Sequence, residues 1–380
     1  MRKTALRLLA VLLAVFLFLT AAGAEALRED RDNFFANPDP KYEKLVSRLE
    51  NASHSNSFTG SLLVAAEDGI ILYGGPKAVT TSGEPADHHT TYDIGSCTKL
   101  FTAVGIFQLI DAGQIALDDP LTRFFPACET WAGVTLWHLL HMQSGIPDEI
   151  NDPAAFWRIE STEELDAFMP RYLRDEVSDE EFLAALSAAQ PIFEPGAQQE
   201  YSNTNYHLLA MIIEQVSGLR YCDYLQANVF GPCGLEHTSS MVIGDETSVP
   251  RLFGDLLDAG IVNEKGYAMQ PRTERGAGGI HTCAADLWAF DRALLAGQLV
   301  SAESLAEIMN FDKDYGCGLY PCGRTAYGHS GRNGCYTAWN IIYETEAYGR
   351  VYFIALTATD AGAYGLDALA RAAGAVLDGH

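Results

Sequence analysis

Phe58-Thr59-Gly60-Ser61-Leu62-Leu63-Val64-Ala65-Ala66-Glu67-Asp68-Gly69-Ile70-Ile71-Leu72-Tyr73-Gly74-Gly75 is the stretch that decides the fold class. Two apolar runs flank Glu67-Asp68-Gly69, and Asp-Gly offers the positive φ that a tight hairpin wants, so the stretch reads as strand, turn, strand. A second pair of strands is predicted near the other end, over 337–343 and 350–357, followed by an Ala-rich helix over 364–377. Between them the pattern becomes helical. Helices are predicted over 98–112, 205–217 and 285–296, stopped by Gly113, Gly218 and Gly297. A shorter amphipathic helix over 42–49 precedes the hairpin. Strands at both ends with helices between them imply an α+β fold, in which the two ends build one antiparallel sheet and a helical lobe is inserted as one long excursion.

This order predicts one domain over 41–380, with a sheet lobe over about 41–92 and 311–380 and a helical lobe over about 93–310. The polar stretch 25–40 is expected to be mobile. Residues 1–24 read as a signal peptide: Arg2, Lys3 and Arg7 start it, an apolar run from Leu8 to Leu19 follows, and Ala22-Gly23-Ala24 supplies small residues for cleavage. The run is shorter than the ~20 residues that span a bilayer comfortably. The expected location is therefore secreted or in the cell envelope, with membrane attachment only if the leader stays uncleaved. The 380 residues are 48% apolar, which excludes a disordered chain. Lys and Arg number 25 against 50 Asp and Glu, and a net charge of -25 opposes nucleic-acid and anionic-lipid partners. None of the eight Cys falls in C-x-x-C, so zinc and thioredoxin-type sites have no support. Cys317 and Cys322 flank Gly318-Leu319-Tyr320-Pro321 and could bridge a tight turn, or both could be free.

Three short motifs carry chemistry. In Ser96-Cys97-Thr98-Lys99, at the start of an apolar helix, residues three apart share a face, and the positive end of the helix dipole favours a deprotonated Ser beside a neutral Lys. In Tyr201-Ser202-Asn203, an extended backbone would turn the Tyr201 phenol and the Asn203 amide to one cleft, and a neighbouring Lys⁺ would lower the phenol's pKa enough to shuttle a proton. In Gly328-His329-Ser330-Gly331-Arg332, small residues on an edge strand would admit a substrate backbone, and the Arg332 N–H would join the Ser96 N–H as an oxyanion hole. His329 would donate to a substrate carboxylate or to Tyr201.

With these motifs, the runs Gly113-Gln114-Ile115-Ala116-Leu117-Asp118-Asp119-Pro120, Leu136 to Pro147 and Gly278-Gly279-Ile280-His281-Thr282 complete a pattern. From Phe58 to Leu377 the chain resembles the serine-type β-lactamase-related proteins: class C β-lactamases, secreted D-alanyl-D-alanine carboxypeptidases, and related esterases and D-aminopeptidases. The resemblance implies a β-lactamase/transpeptidase-like fold with a site between the two lobes. It implies Ser96 as the acyl-accepting nucleophile, Lys99 and Tyr201 as a coupled base, and Asn203, His329 and Gly331 as substrate-binding residues. It also implies a small-molecule or peptide substrate, best guessed as D-amino-acid peptides, with a small-ester esterase, a weak β-lactamase or a non-catalytic acyl-binding sensor as alternatives. One departure from the β-lactamase pattern stands out. Lys-Thr-Gly is usual in the third motif, whereas this chain has His329-Ser330-Gly331, whose imidazole is mostly neutral at pH 7. Asp148 and Glu149 follow Gly145-Ile146-Pro147 and are read either as acids at the cleft mouth that disfavour anionic substrates or as solvated loop acids.

Neither cofactor nor metal is expected. There is no G-x-S-x-G, H-E-x-x-H or P-loop. His138 and His141 are three apart in an apolar run, where helix-terminus hydrogen bonding is a better reading than a metal chelate. No residue pattern bears on oligomeric state.

Overall fold

The 58–75 stretch forms the predicted hairpin in the computed structural model, which describes residues 28–29, 34–56, 58–74, 90–173, 176–240, 275–311, 314–333, 336–358 and 360–378. Strand β3 (Ser61–Ala66) pairs antiparallel with β4 (Gly69–Gly74), with an irregularity between Val64 and Ala65. Glu67 and Asp68 make the connection without a positive φ at either, and Gly69 already stands opposite Ala66. The positive φ expected of Asp-Gly sits on Gly69, at +158°.

Two short strands come first in the chain, β1 (Arg28–Glu29) and β2 (Phe34–Ala36). Last come β8 (Tyr320–Pro321), β9 (Ala326–Asn333), β10 (Tyr336–Thr345) and β11 (Gly349–Thr357). Together with the hairpin they form one eight-stranded sheet in the order β1-β2-β4-β3-β11-β10-β9-β8, with every neighbour antiparallel. The chain's two ends meet where β3 pairs with β11. The fold is α+β, with one antiparallel sheet built from both ends of the chain, as the sequence predicts.

Period-two alternation divides the sheet's side chains between two cores. Leu62, Val64, Val351, Phe353 and Ala355 face outward, under the terminal helices Glu43–Ser55 and Asp360–Leu377, which supply Leu45, Leu49, Leu366 and Leu369. Leu63, Ala65, Tyr352, Ile354 and Leu356 face the helical lobe. There the helix Thr98–Asp111 is buried on almost every side, and Phe101 stacks on Phe290 of the helix Ala284–Leu295 at 3.7 Å between centroids. The helix Asn203–Ser217 packs against it. Three two- or three-residue strands, β5 (Tyr92–Asp93), β6 (Ser239–Ser240) and β7 (Ile280–Thr282), form a second antiparallel sheet in the order β5-β7-β6. Elements this short carry no readable period, so the sequence did not announce them.

One expectation is corrected and one open alternative is settled. The stretch 25–40 is ordered over 34–40: β2 pairs with β4, Phe34 is fully buried in the outer core, and Phe35 stacks on Tyr73. Cys317 and Cys322 are both free thiols. Cys317 lies 3.5 Å from His141 Nε2 in the inner core, whereas Cys322 reaches the Tyr320 carbonyl, and the extended β8 holds the two apart. The predicted signal peptide lies outside the described residues. Among the described residues, no helix is long and apolar enough to cross a membrane.

Candidate active site

β5 delivers the chain to a 3-10 turn, Gly95–Cys97, that runs into the helix Thr98–Asp111. Ser96 therefore sits at the helix's positive end, and Lys99 emerges on the same face one turn later. Lys99 is completely buried, which a cation tolerates only with its donors engaged. Its Nζ donates to Ser96 Oγ at 3.1 Å, Asn203 Oδ1 at 2.7 Å and the Ala277 carbonyl at 2.8 Å. Tyr201 OH donates to the same Ser96 Oγ at 2.7 Å, and its ring centroid lies 4.8 Å from Lys99 Nζ. Ser96, Lys99 and Tyr201 are thus brought to one point from the 3-10 turn, the helix it leads into, and the extended segment before the helix Asn203–Ser217.

The expected drop in the Tyr201 pKa is not observed. Burial pushes the phenol well above its ordinary value, and the hydrogen bond to Ser96 offsets only part of that rise. In this arrangement Tyr201 is a protonated donor. Ser202 is extended at φ -141° and ψ 120° and forms the N-cap of the helix beginning at Asn203, so Tyr201 and Asn203 do face one site. Asn203 is 7% exposed.

Asp148 and Glu149 are neither solvated nor at the cleft mouth, contrary to both readings. Asp148 is 6% exposed, and its Oδ2 accepts from the backbone N–H and the Nδ2 of Asn203 at 3.0 and 2.9 Å. Glu149 is 1% exposed and pairs with His207 at 3.2 Å. The Pro147 turn points both carboxylates inward, where the start of the helix Asn203–Ser217 supplies donors.

β9 forms the opposite wall. Gly331 touches the nucleophile's backbone so closely that a Cβ there would fall 1.8 Å from the Ile94 carbonyl oxygen and 2.9 Å from Ser96 N. Gly95 has φ +48°, and a Cβ on it would lie 2.6 Å from Arg332 N. Both glycines are needed for the two backbones to meet, and the meeting brings Ser96 and Arg332 side by side. Asp93, which sequence reasoning missed, ties the two walls. Buried at the end of β5, it accepts from Gly95 N at 2.7 Å and from Asn333 Nδ2 at 2.8 Å. Its only sequence signal is a carboxylate two residues before a Gly-Ser step.

His329 lines the cleft but does not bond to Tyr201; their ring centroids are 6.2 Å apart. Its Nε2 meets Tyr315 OH at 3.1 Å. Burial, and secondarily the neighbouring Lys99 charge, push the imidazole down to about 3, so it is neutral at physiological pH. The cleft has a volume of roughly 690 Å³ and exposes Ser96, Tyr201, Asn203, His329, Gly331 and Arg332 to one space. It continues past the predicted residues to Ile150, Asn151, Trp339 and Asp367. His138 caps its own helix through Thr135, and His141 sits between Glu307 Oε1 and the Tyr315 carbonyl.

The chain is similar to known proteins. Residues 45–375 match the Beta-lactamase family. Penicillin-binding protein 4* of Bacillus subtilis is 30% identical over 281 residues, covering 70% of this chain and 58% of that protein. A β-lactamase of Escherichia coli is 29% identical over 178 residues, covering 44% and 41%. The chain therefore spans little more than half the length of the former and less of the latter. Among solved structures, a penicillin-binding protein from Bacillus halodurans superimposes with a TM-score of 0.67 at 22% identity, over 85% of this chain and 98% of that one. D-amino acid amidase from Ochrobactrum anthropi gives 0.66 at 22% identity, over 88% and 99%. With most of its length matched and the fold shared throughout, the chain belongs to the Beta-lactamase family.

Proposed function

We propose that the chain is a serine hydrolase that forms an acyl-enzyme on Ser96 and acts on amide bonds of D-amino-acid peptides, in the manner of a carboxypeptidase or amidase. One observation carries this reading: Ser96 Oγ lies within 3.1 Å of Lys99 Nζ and 2.7 Å of Tyr201 OH, at the edge of an open cleft. Attack on a carbonyl forms the Ser96 Oγ–C bond while Lys99, an ammonium at rest and reactive in its deprotonated fraction, takes the Ser96 proton. The oxyanion that develops is stabilised by the backbone N–H groups of Ser96 and Arg332. Tyr201, a protonated phenol, donates to the leaving nitrogen as the C–N bond breaks and is reprotonated through Lys99. Water then attacks the ester, returning the proton to Ser96. Asn203 and the Gly331 strand hold the substrate amide.

Neutral His329 supports amides and esters over substrates that need a fixed cation for their carboxylate. It weighs against efficient β-lactam hydrolysis and leaves Arg332 as the cationic side chain at the exposed part of the cleft wall. The basic-apolar-small pattern of residues 1–24 supports export, with the chain acting outside the cytoplasm. Turnover of matched D- and L-amino-acid amides, D,D-dipeptides, short esters and a penicillin tests the assignment. D-configured amides should be cleaved fastest; esters alone would move the protein to the esterases, and acylation without turnover would make it a sensor.

A further inference from the structure

The carboxylate of Asp148 accepts five hydrogen bonds. Oδ1 receives Ile150 N at 2.8 Å and Asn151 N at 2.9 Å. Oδ2 receives Asn151 Nδ2 at 2.9 Å, Asn203 N at 3.0 Å and Asn203 Nδ2 at 2.9 Å. Ile150 and Asn151 form a lip of the cleft, and Asn203 accepts from Lys99 at 2.7 Å. One buried acid thus joins the lip, the substrate-binding amide and the base.

The chemistry of these neighbours sets the Asn203 side chain. A carboxylate only accepts and an ammonium only donates, so a carboxamide wedged between them satisfies both in a single orientation, with Nδ2 towards Asp148 and Oδ1 towards Lys99. Without the carboxylate, the reversed amide would lose one partner less on its outer side and would set an N–H against Lys99. The base would then lose one of the acceptors that hold it 3.1 Å from Ser96. Displacing the base is costly, because misplacing a reacting group by about 1 Å can cost about 100-fold in rate.

We propose that Asp148 is a positioning residue for acylation: it locks the Asn203 amide with its oxygen on Lys99, and so keeps the base in register with Ser96 while pinning the Ile150-Asn151 lip. This rests on the Ser96 acyl-enzyme reading. Asp148 touches neither Lys99 nor Ser96 in any of these contacts, so its hold on the base passes through Asn203, while its charge acts separately on Tyr201 and raises that phenol's pKa.

Time-resolved labelling of Ser96 by a fluorophosphonate tests it, comparing wild type, Asp148→Ala, Asp148→Asn, Asn203→Ala and the Asp148→Ala/Asn203→Ala double variant. The maximal labelling rate of Asp148→Ala should fall about 10- to 100-fold, with the half-saturating probe concentration nearly unchanged. The double variant should label no more slowly than Asn203→Ala alone, since the carboxylate acts through that amide. Asp148→Asn keeps the volume of the side chain, and its melting temperature separates slow labelling from unfolding. Wild-type rates in both Asp148 variants, a loss confined to the half-saturating concentration, or losses that multiply in the double variant would overturn the positioning role. A wild type that is never labelled at Ser96 instead defeats the acyl-enzyme reading itself, and this inference with it.

Discussion

The outer face of the eight-stranded sheet packs Leu62, Val64, Phe353 and Ala355 against Leu45, Leu49, Leu366 and Leu369 of the terminal helices. The inner face packs an equally apolar set, Leu63, Tyr352, Ile354 and Leu356, but the same layer also buries Lys99, Asp93, His281 and Asp291. Apolar contact is enough to hold a shape, so the outer face spends its burial on stability. Chemistry needs groups removed from water, and their desolvation is tolerated on the inner face only because hydrogen bonds or suppressed ionisation offset it. Not every group there is matched: both ring nitrogens of His281, one oxygen of Asp291 and the Asn340 carbonyl oxygen are buried without a hydrogen-bond partner among the described residues. Stability and activity should therefore separate by face.

Lys99→Met offers the sharpest break. It should lower kcat by about 10³- to 10⁴-fold, the scale of a lost general base. The melting temperature should stay level or rise, because a buried cation is replaced by an apolar chain of similar length. A large drop in melting temperature would mean that the ammonium is part of the scaffold. Phe353→Ala is the converse: a fully buried outer-face ring is lost, and chemical denaturation should show about 3–5 kcal/mol less stability while kcat per folded molecule is unchanged. A matching fall in kcat would show that the two faces are coupled.

Gly331→Ala probes the seam between them. Its Cβ would fall 1.8 Å from the Ile94 oxygen, so β9 must move off the nucleophile turn and open the oxyanion hole. About a 100-fold loss in kcat is expected, together with a clearly lower melting temperature, since the clash is with backbone. Asp291→Asn gives the smallest effect and depends on pH. Burial pushes the Asp291 carboxyl up to about 7, whereas in the unfolded chain it ionises near its ordinary value of about 4. A raised folded pKa gives stability that is full below about pH 4 and is lost as pH rises through about 7. Wild type should therefore lose melting temperature across that window, and the Asn variant, which does not ionise, should not. At pH 8 the variant should be the more stable by several degrees; parallel pH profiles would contradict this assignment.

The same contrast explains what could be read from the residues. The central strands are continuous apolar runs, the major helices are stopped by Gly113, Gly218 and Gly297, and both signals are local. The motifs around Ser96, Tyr201 and Gly331 are also short and contiguous, which is why all three could be found before any fold was known. What escaped depends on distant pairs. Asp148 looked like a loop acid until Asn203, 55 positions away, supplied its donors. Asp93 gains its meaning from Asn333, and His329 is turned from Tyr201 by Tyr315. The Tyr201 pKa went the other way because burial outweighs its neighbours, and burial is not written in a three-residue motif.

Intact mass spectrometry after exposure to a fluorophosphonate addresses the central claim, that Ser96 is the acyl-accepting nucleophile. A single adduct on wild type, mapped to the peptide containing Ser96 and absent from Ser96→Ala, is the predicted result. An adduct that survives Ser96→Ala, or none on the folded wild type, would contradict it.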